Sequence, residues 1–379
     1  MVTMQSTGPH PSARAKGGPA VLGQMTDETV LGVLFDHGPS SRAAIAKRTG
    51  FSRPTMSESA QRLLAAGQIV EVGQTAGARG RSAVLYDLNP DHGQTLAMSI
   101  EHARVLATVR DYRGKLLWDR SVRVASGDLD DYLTAGRALV NEVRRAPSPL
   151  LAAAISVAAP VKPVGRGARS LPGAPISGDA EDLAGALGLV DVPVEVDNDV
   201  NWAAIAEHRR GSMRDIEDFL FVHLGAGVGA GLFLSGKLHR GAHGTAGEIA
   251  FLHMPDGETL MVRLGASDIG AADRHSVDVE RAGTVLADAG SSVAQSVVED
   301  LTRILVNVTT VLDPGHVVLG GPIAEIDTFA DELGDRIETR SLSPVTVVRS
   351  TLAGSASLAG ADAGARDIVR QLSRASTGL

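Results

Sequence analysis

The chain has no cysteine among its 379 residues, which excludes disulfides and thiolate metal sites. It also has no apolar run near the ~20 residues needed to span a bilayer. Residues 1–25, MVTMQSTGPHPSARAKGGPAVLGQM, lack the apolar stretch of a signal peptide. Their Gly, Pro and Ser content reads as a disordered arm on a protein expected in the cytoplasm. Beyond residue 25 no internal repeat or low-complexity stretch is evident. What remains is ordinary for a globular protein, with 44% hydrophobic and 21% charged residues. The length suits two or three domains.

The formal charge of −8 argues against nucleic-acid binding until it is divided along the chain. Residues 1–90 hold 9 Lys+Arg and 6 Asp+Glu, against 27 and 38 in the rest. A mildly basic head on an acidic body is the asymmetry expected when only the head meets phosphate.

The head has the spacing of a winged helix-turn-helix. Thr26 can cap a helix over 26–36 whose face is Val30, Leu31, Leu34 and Phe35, and Gly38-Pro39 stops it. Ser41 can cap a second helix, SRAAIAKRT, whose inner side is Ala44, Ile45 and the stem of Arg48. After Gly50, Ser52 can cap a third, with Pro54 in its first turn, where a missing N–H matters little. Its apolar positions are Met56, Ala60, Leu63 and Leu64; Arg53, Thr55, Ser57, Glu58 and Gln61 face the other way. A helix, a Gly turn and a helix with a polar outer face present side chains to base edges. The β-prone runs IVEV (69–72) and AVLYDL (83–88) then flank GQTAGARGRS, whose Arg79 and Arg81 make a cationic tip suited to phosphate or a narrow minor groove. The alternative is a solvated basic hairpin on a protein–protein module.

Asn89 to Gly93 form a linker by composition. After it TLAMSI, RVLATVRD and LLWDRSVRV read as strands, a helix follows over 129–145, and LLAAAISVAAP reads as a buried strand. Further on come Asn198-Asp199 behind the strand PVEV, then HLGAGVGAG, then Gly247-Glu248, and Gly320-Gly321 after another strand. An Asn-Asp pair before a helix is commonly a cap, and a Glu in a turn is commonly a surface residue.

In this order the motifs resemble the ROK family, which contains sugar kinases and related transcriptional repressors; the resemblance covers roughly residues 91–379. The stretch SRAAIAKRTGFSRPTMS and the Gly-Arg pair at 80–81 resemble the winged head of ROK repressors. The resemblance implies a two-lobed, actin-like α/β body in which the Asn198 amide and the Asp199 and Glu248 carboxylates hold a sugar. It also marks departures. The kinases' Asp-x-Gly-Gly-Thr-Lys phosphate turn corresponds to Ser99-Ile100-Glu101-His102-Ala103-Arg104, and their Gly-Thr-Gly to Gly225-Ala226-Gly227. The family's Gly-Glu-Ile-Gly-His reads GEIAFLHM here, so that His253, two residues beyond Phe251, is either its substitute or an ordinary core or surface residue. The family's cysteine zinc segment is absent, and Ser170 stands where the family has Asn before Leu-Pro-Gly.

An arm over 1–25, a winged helix-turn-helix over 26–88 and a linker over 89–93 are thus expected to precede a ROK domain over 94–379. Its first lobe spans about 94–197 plus a closing helix over 357–379, and its second about 198–356. The protein is expected to be a DNA-binding regulator, a repressor by resemblance, without catalytic residues, cofactor or metal. Ser52, Arg53, Thr55, Ser57, Gln61, Arg79 and Arg81 are expected to meet double-stranded operator DNA. Asn198, Asp199, Glu248 and His253 are expected to meet a sugar or sugar-derivative effector. A homodimer or higher homo-oligomer, with no membrane partner, is expected. Two alternatives are a body that serves only dimerisation and an ATP-dependent sugar kinase.

Overall fold

The computed structural model describes residues 19–75, 82–125, 127–162, 166–171, 176–288, 290–352 and 355–375. The chain divides into two compact units, Met1–Asn89 with Arg370–Leu379, and Pro90–Val369.

Among the described residues, the Met1–Asn89 part of the first unit holds three helices and a small sheet. Helix α1 runs Pro19–His37, β1 Ser40–Ser41, α2 Arg42–Thr49, α3 Arg53–Ala65, β2 Ile69–Thr75 and β3 Ala83–Leu88. Val30, Leu31 and Leu34 of α1 are buried with Ile45, Met56, Ala60 and Leu63. Two caps fall where the sequence places them: Ser41 Oγ accepts from Ala44 N, and Ser52 Oγ from Thr55 N. Gly50 closes α2 in the left-handed region at φ 76°. The first helix differs from expectation. It begins at Pro19, inside the stretch expected to be a disordered arm, and Thr26 is no cap: its hydroxyl donates to the Leu22 carbonyl at 2.8 Å. A mid-helix Thr can satisfy itself on the preceding turn as readily as it caps. Ala44 and Arg48 are exposed, so Ile45 alone buries α2. The spacing of apolar residues also gives no sign of a polar core: buried Ser59 donates to Asp27 at 2.5 Å, and Arg62 pairs with the same carboxylate at 2.7 Å.

The second unit begins with β4 (Gln94–Glu101), β5 (Arg104–Asp111), β6 (Leu116–Arg123), α4 (Leu129–Arg144), β7 (Leu150–Val157), α5 (Leu183–Ala186), β8 (Val194–Asn198) and α6 (Asp199–Arg210). It continues with β9 (Phe219–Leu224), β10 (Val228–Leu234), β11 (Lys237–His239), α7 (Leu260–Ala266), α8 (Val279–Val285), α9 (Ser292–Leu312), β12 (His316–Gly320), α10 (Asp327–Arg340), β13 (Thr346–Arg349) and α11 (Ala356–Ala375). The sheets run β6-β5-β4-β7-β8 and β11-β10-β9-β12-β13. In each, an antiparallel meander of three strands is extended by two parallel ones. The same plan is therefore built twice, although the sequence shows no repeat.

Each sheet has its own apolar core, one around Ile100, Ile155 and Tyr132, the other around Val222, Leu305 and Leu319. Helix α6 follows the first sheet but packs Val200, Ala203 and Ala204 against Phe219, Phe221 and Phe233 of the second. Helix α11 follows the second sheet and packs Ala361 and Ala365 with Ala97 and Ala154 of the first. This exchange brings the N-termini of α6 and α11 into one cleft. The closing helix also departs from expectation: from Arg370 on it groups with the first unit, where Arg370 pairs with Asp36 at 3.3 Å and lies over the Phe35 ring.

Candidate ligand cleft and DNA-reading helix

A cleft of about 1490 Å³ opens within the second unit, lined by residues from both sheets. Asn198, Asp199, Gly247 and Glu248 line it; so do the Gly225-Ala226-Gly227 loop, Gly320-Gly321, Glu101, His102 and Phe251.

Asn198 ends β8 and caps α6: its Oδ1 accepts from Val200 N at 2.9 Å and from Asn201 N at 3.4 Å, while its Nδ2 donates to the Ala159 carbonyl at 3.2 Å. The capping role is thus real, and one amide hydrogen is left to meet a ligand. Asp199 opens the helix, and burial pushes its carboxyl up to about 7, reinforced by the negative charge of Glu101. Glu248 sits across from it, also raised to about 7 by burial. Its turn requires glycine before it: Gly247 has φ 93°, and a Cβ there would lie 1.8 Å from the Ala230 carbonyl.

His253 does not join them. The chain after Glu248 makes a 3-10 turn over Ile249–Phe251 instead of the expected strand, so two residues on is not the same face. The His253 ring is exposed and its Nδ1 is 2.9 Å from the Gly257 carbonyl, outside the cleft; Phe251 lines the cleft instead.

Four further residues contribute that were not expected as site residues. Arg240 reaches Asp197 at 2.5 Å and Glu195 at 3.3 Å, tying the loop that carries Glu248 to the strand that carries Asn198. His223 stands against the glycine loop, where a Cβ on Gly225 would be 2.6 Å from its Nε2; burial holds its pKa down while Glu101 acts in the opposite sense. Ser355 and Ser357, at the start of α11, meet Glu101. Their only sequence signal is adjacency, His223 two residues before a glycine loop and two serines at a helix start.

In the first unit, Arg53 and Gln61 lie exposed on the outer face of α3, with Thr55 and Ser57 half-buried beside them. Two of the expected DNA contacts have other work: Ser52 caps the helix, and the Thr55 hydroxyl is 2.8 Å from the Ser52 hydroxyl. Ser57 accepts a 3.4 Å bond from Arg42. Arg79 and Arg81 lie outside the described residues. Among the described residues no helix is long and apolar enough to cross a membrane.

Two sheets of equal plan around a shared cleft, with helices exchanged between them, define the actin-like fold of the sugar kinases and their relatives. Residues 96–263 match the ROK family, and the chain carries a ROK family domain. It is 23% identical over 366 residues to the "Putative xylose repressor" of Caldicellulosiruptor sp., an alignment spanning 84% of this chain and 88% of that one. Its fold is similar to that of a ROK family transcriptional regulator, a homologue of the E. coli MLC protein (TM-score 0.66, 18% identity, 94% of this chain, 100% of the other). It is also similar to a ROK family glucokinase from Streptomyces griseus in complex with glucose and AMPPNP (TM-score 0.58, 22% identity), which spans 73% of this chain and 100% of the other.

Proposed function

We propose that the protein is a sugar-responsive transcriptional regulator that has given up phosphoryl transfer. The observation that carries this is the helix-turn-helix of the first unit, with two capped helices and the outer face of α3 left to solvent. The kinase likeness stops at 73% of this chain, whereas the regulator's reaches 94%. The repressor relative aligns over most of both chains. On this reading Arg53, Thr55, Ser57 and Gln61 meet base edges, with Ser52 at the backbone, and Arg79 and Arg81 add phosphate contacts from the wing. The protein acts in the cytoplasm as a two-fold dimer on paired half-sites ~34–36 Å apart.

The cleft supports a monosaccharide effector. Asp199, Glu248 and the remaining Asn198 hydrogen offer two acceptors and a donor to sugar hydroxyls. Because both carboxyls are desolvated, a ligand that bonds to them stabilises the folded state by mass action. Catalysis is a different matter: Glu101 stands in the turn that would cradle phosphates, and Ala226 has no hydroxyl. A thermal-shift screen of the full chain against neutral monosaccharides, xylose first, tests the reading. One sugar should raise the melting temperature of the wild type, and Asp199→Asn with Glu248→Gln should abolish the shift. Turnover of ATP with any sugar would sink the loss of kinase activity.

A further inference from the structure

Glu101 ends β4, and its carboxylate is held as a bound anion is held. Oε1 accepts from Ser99 Oγ at 3.0 Å and Ser357 Oγ at 3.1 Å, and also from Ser355 Oγ. Oε2 accepts from Arg104 Nε at 2.9 Å, with Nη2 at 2.7 Å. Ser355 in turn accepts from Leu358 N at 3.1 Å, which makes it the cap of the 20-residue α11. The positive end of that helix therefore faces the carboxylate. Three hydroxyls, a guanidinium and a helix start are what a phosphate group would ask of a protein. Here the anion is part of the chain. Glu101, Arg104, Ser355 and Ser357 all line the cleft, so the cradle opens onto the ligand space and is filled from within.

We propose that Glu101 is a selectivity residue, a built-in anion that occupies the cleft's anion cradle and bars phosphorylated ligands. This deepens the reading of the cleft as an effector site by fixing the ligand class: uncharged sugars enter, while sugar phosphates and nucleotides do not. Tethering keeps the carboxylate at a high effective concentration in the cradle. An incoming phosphate must either displace it or sit against a like charge, with Asp199 adding a second acid in the same cleft. The cleft volume, several times that of a monosaccharide, does not exclude such ligands by size. Charge does.

The test is calorimetric titration of inorganic pyrophosphate, without sugar, into the full chain, its Glu101→Ala and Glu101→Gln variants, and Glu101→Ala combined with Ser355→Ala and Ser357→Ala. Glu101→Ala should bind pyrophosphate at least about tenfold more tightly than the wild type, a gain of ~1.4 kcal/mol. The triple variant should lose that gain. Glu101→Gln keeps the size and hydrogen-bonding shape while removing the charge, so it should also bind more tightly than the wild type even if the alanine variant folds poorly. Equal affinity in the wild type and both single variants overturns the proposal, as does a triple variant that binds as well as Glu101→Ala. Operator binding by the wild type, measured on the same preparation, reports separately on the regulator reading, because pyrophosphate binding does not depend on it.

Discussion

Asp199 and Glu248 are the two acids of the cleft that burial shifts toward neutral pH. Both are raised to about 7 in the folded protein, against about 3.9 and 4.3 in an unfolded chain. Between about pH 4 and pH 7 the folded state therefore binds more protons than the unfolded state. Stability contributed by these groups is present at the acid end of that window and falls as pH rises through it. Asp199→Asn and Glu248→Gln should each flatten that fall, and should raise the urea midpoint at pH 8 relative to the wild type while leaving it near the wild-type value at pH 4. Parallel pH profiles for wild type and variants would show that neither carboxyl is desolvated. These two acids are legible in sequence because they sit in motifs, one after a strand and one after a glycine. His253 misleads because counting residues along a strand fails where the chain turns. Arg240 and the Ser355–Ser357 pair carry no motif, and their roles arise only from partners distant in sequence.

At the scale of elements, the head is largely readable. Caps at Ser41 and Ser52 depend on neighbouring backbone, so local sequence determines them. The start of α1 is not readable, since a Gly- and Pro-containing segment resembles a boundary and its Thr resembles a cap. The Asp27–Ser59–Arg62 cluster escapes because its partners lie more than thirty residues apart. In consequence Ser59→Ala should lower the stability of the head by about 1–3 kcal/mol, since a buried carboxylate is deprived of a donor. Denaturant unfolding monitored in the head would register it, and an unchanged midpoint would mean that the hydroxyl is dispensable. The outer face of α3 leads to a different expectation. Arg53→Ala and Gln61→Ala should weaken binding to the preferred site more than binding to bulk DNA, by about 1–3 kcal/mol for each base edge left without its partner. Equal weakening on both would remove α3 as the reading helix. Arg79→Ala with Arg81→Ala should instead weaken all sequences alike and flatten the salt dependence, by about 0.9 in slope for each phosphate no longer neutralised. A wild-type slope in that double variant would take the wing out of the interface.

For the whole molecule, the sequence conveys the two-part plan but not the duplication within the second part. The two sheets share strand order while their residues differ, because the fold needs only apolar patterning and short turns. What distinguishes a regulator from a kinase is therefore not the body but the head joined to it and the side chains in the cleft. On the proposed reading this chain recognises a defined DNA site. The direct measurement is selection of duplexes from a randomised pool by the full-length protein at physiological salt, followed by sequencing of the bound fraction. A protein that reads DNA as a two-fold dimer should enrich a symmetric sequence whose half-sites lie about one helical turn apart. A bound fraction with the same sequence distribution as the starting pool would contradict it.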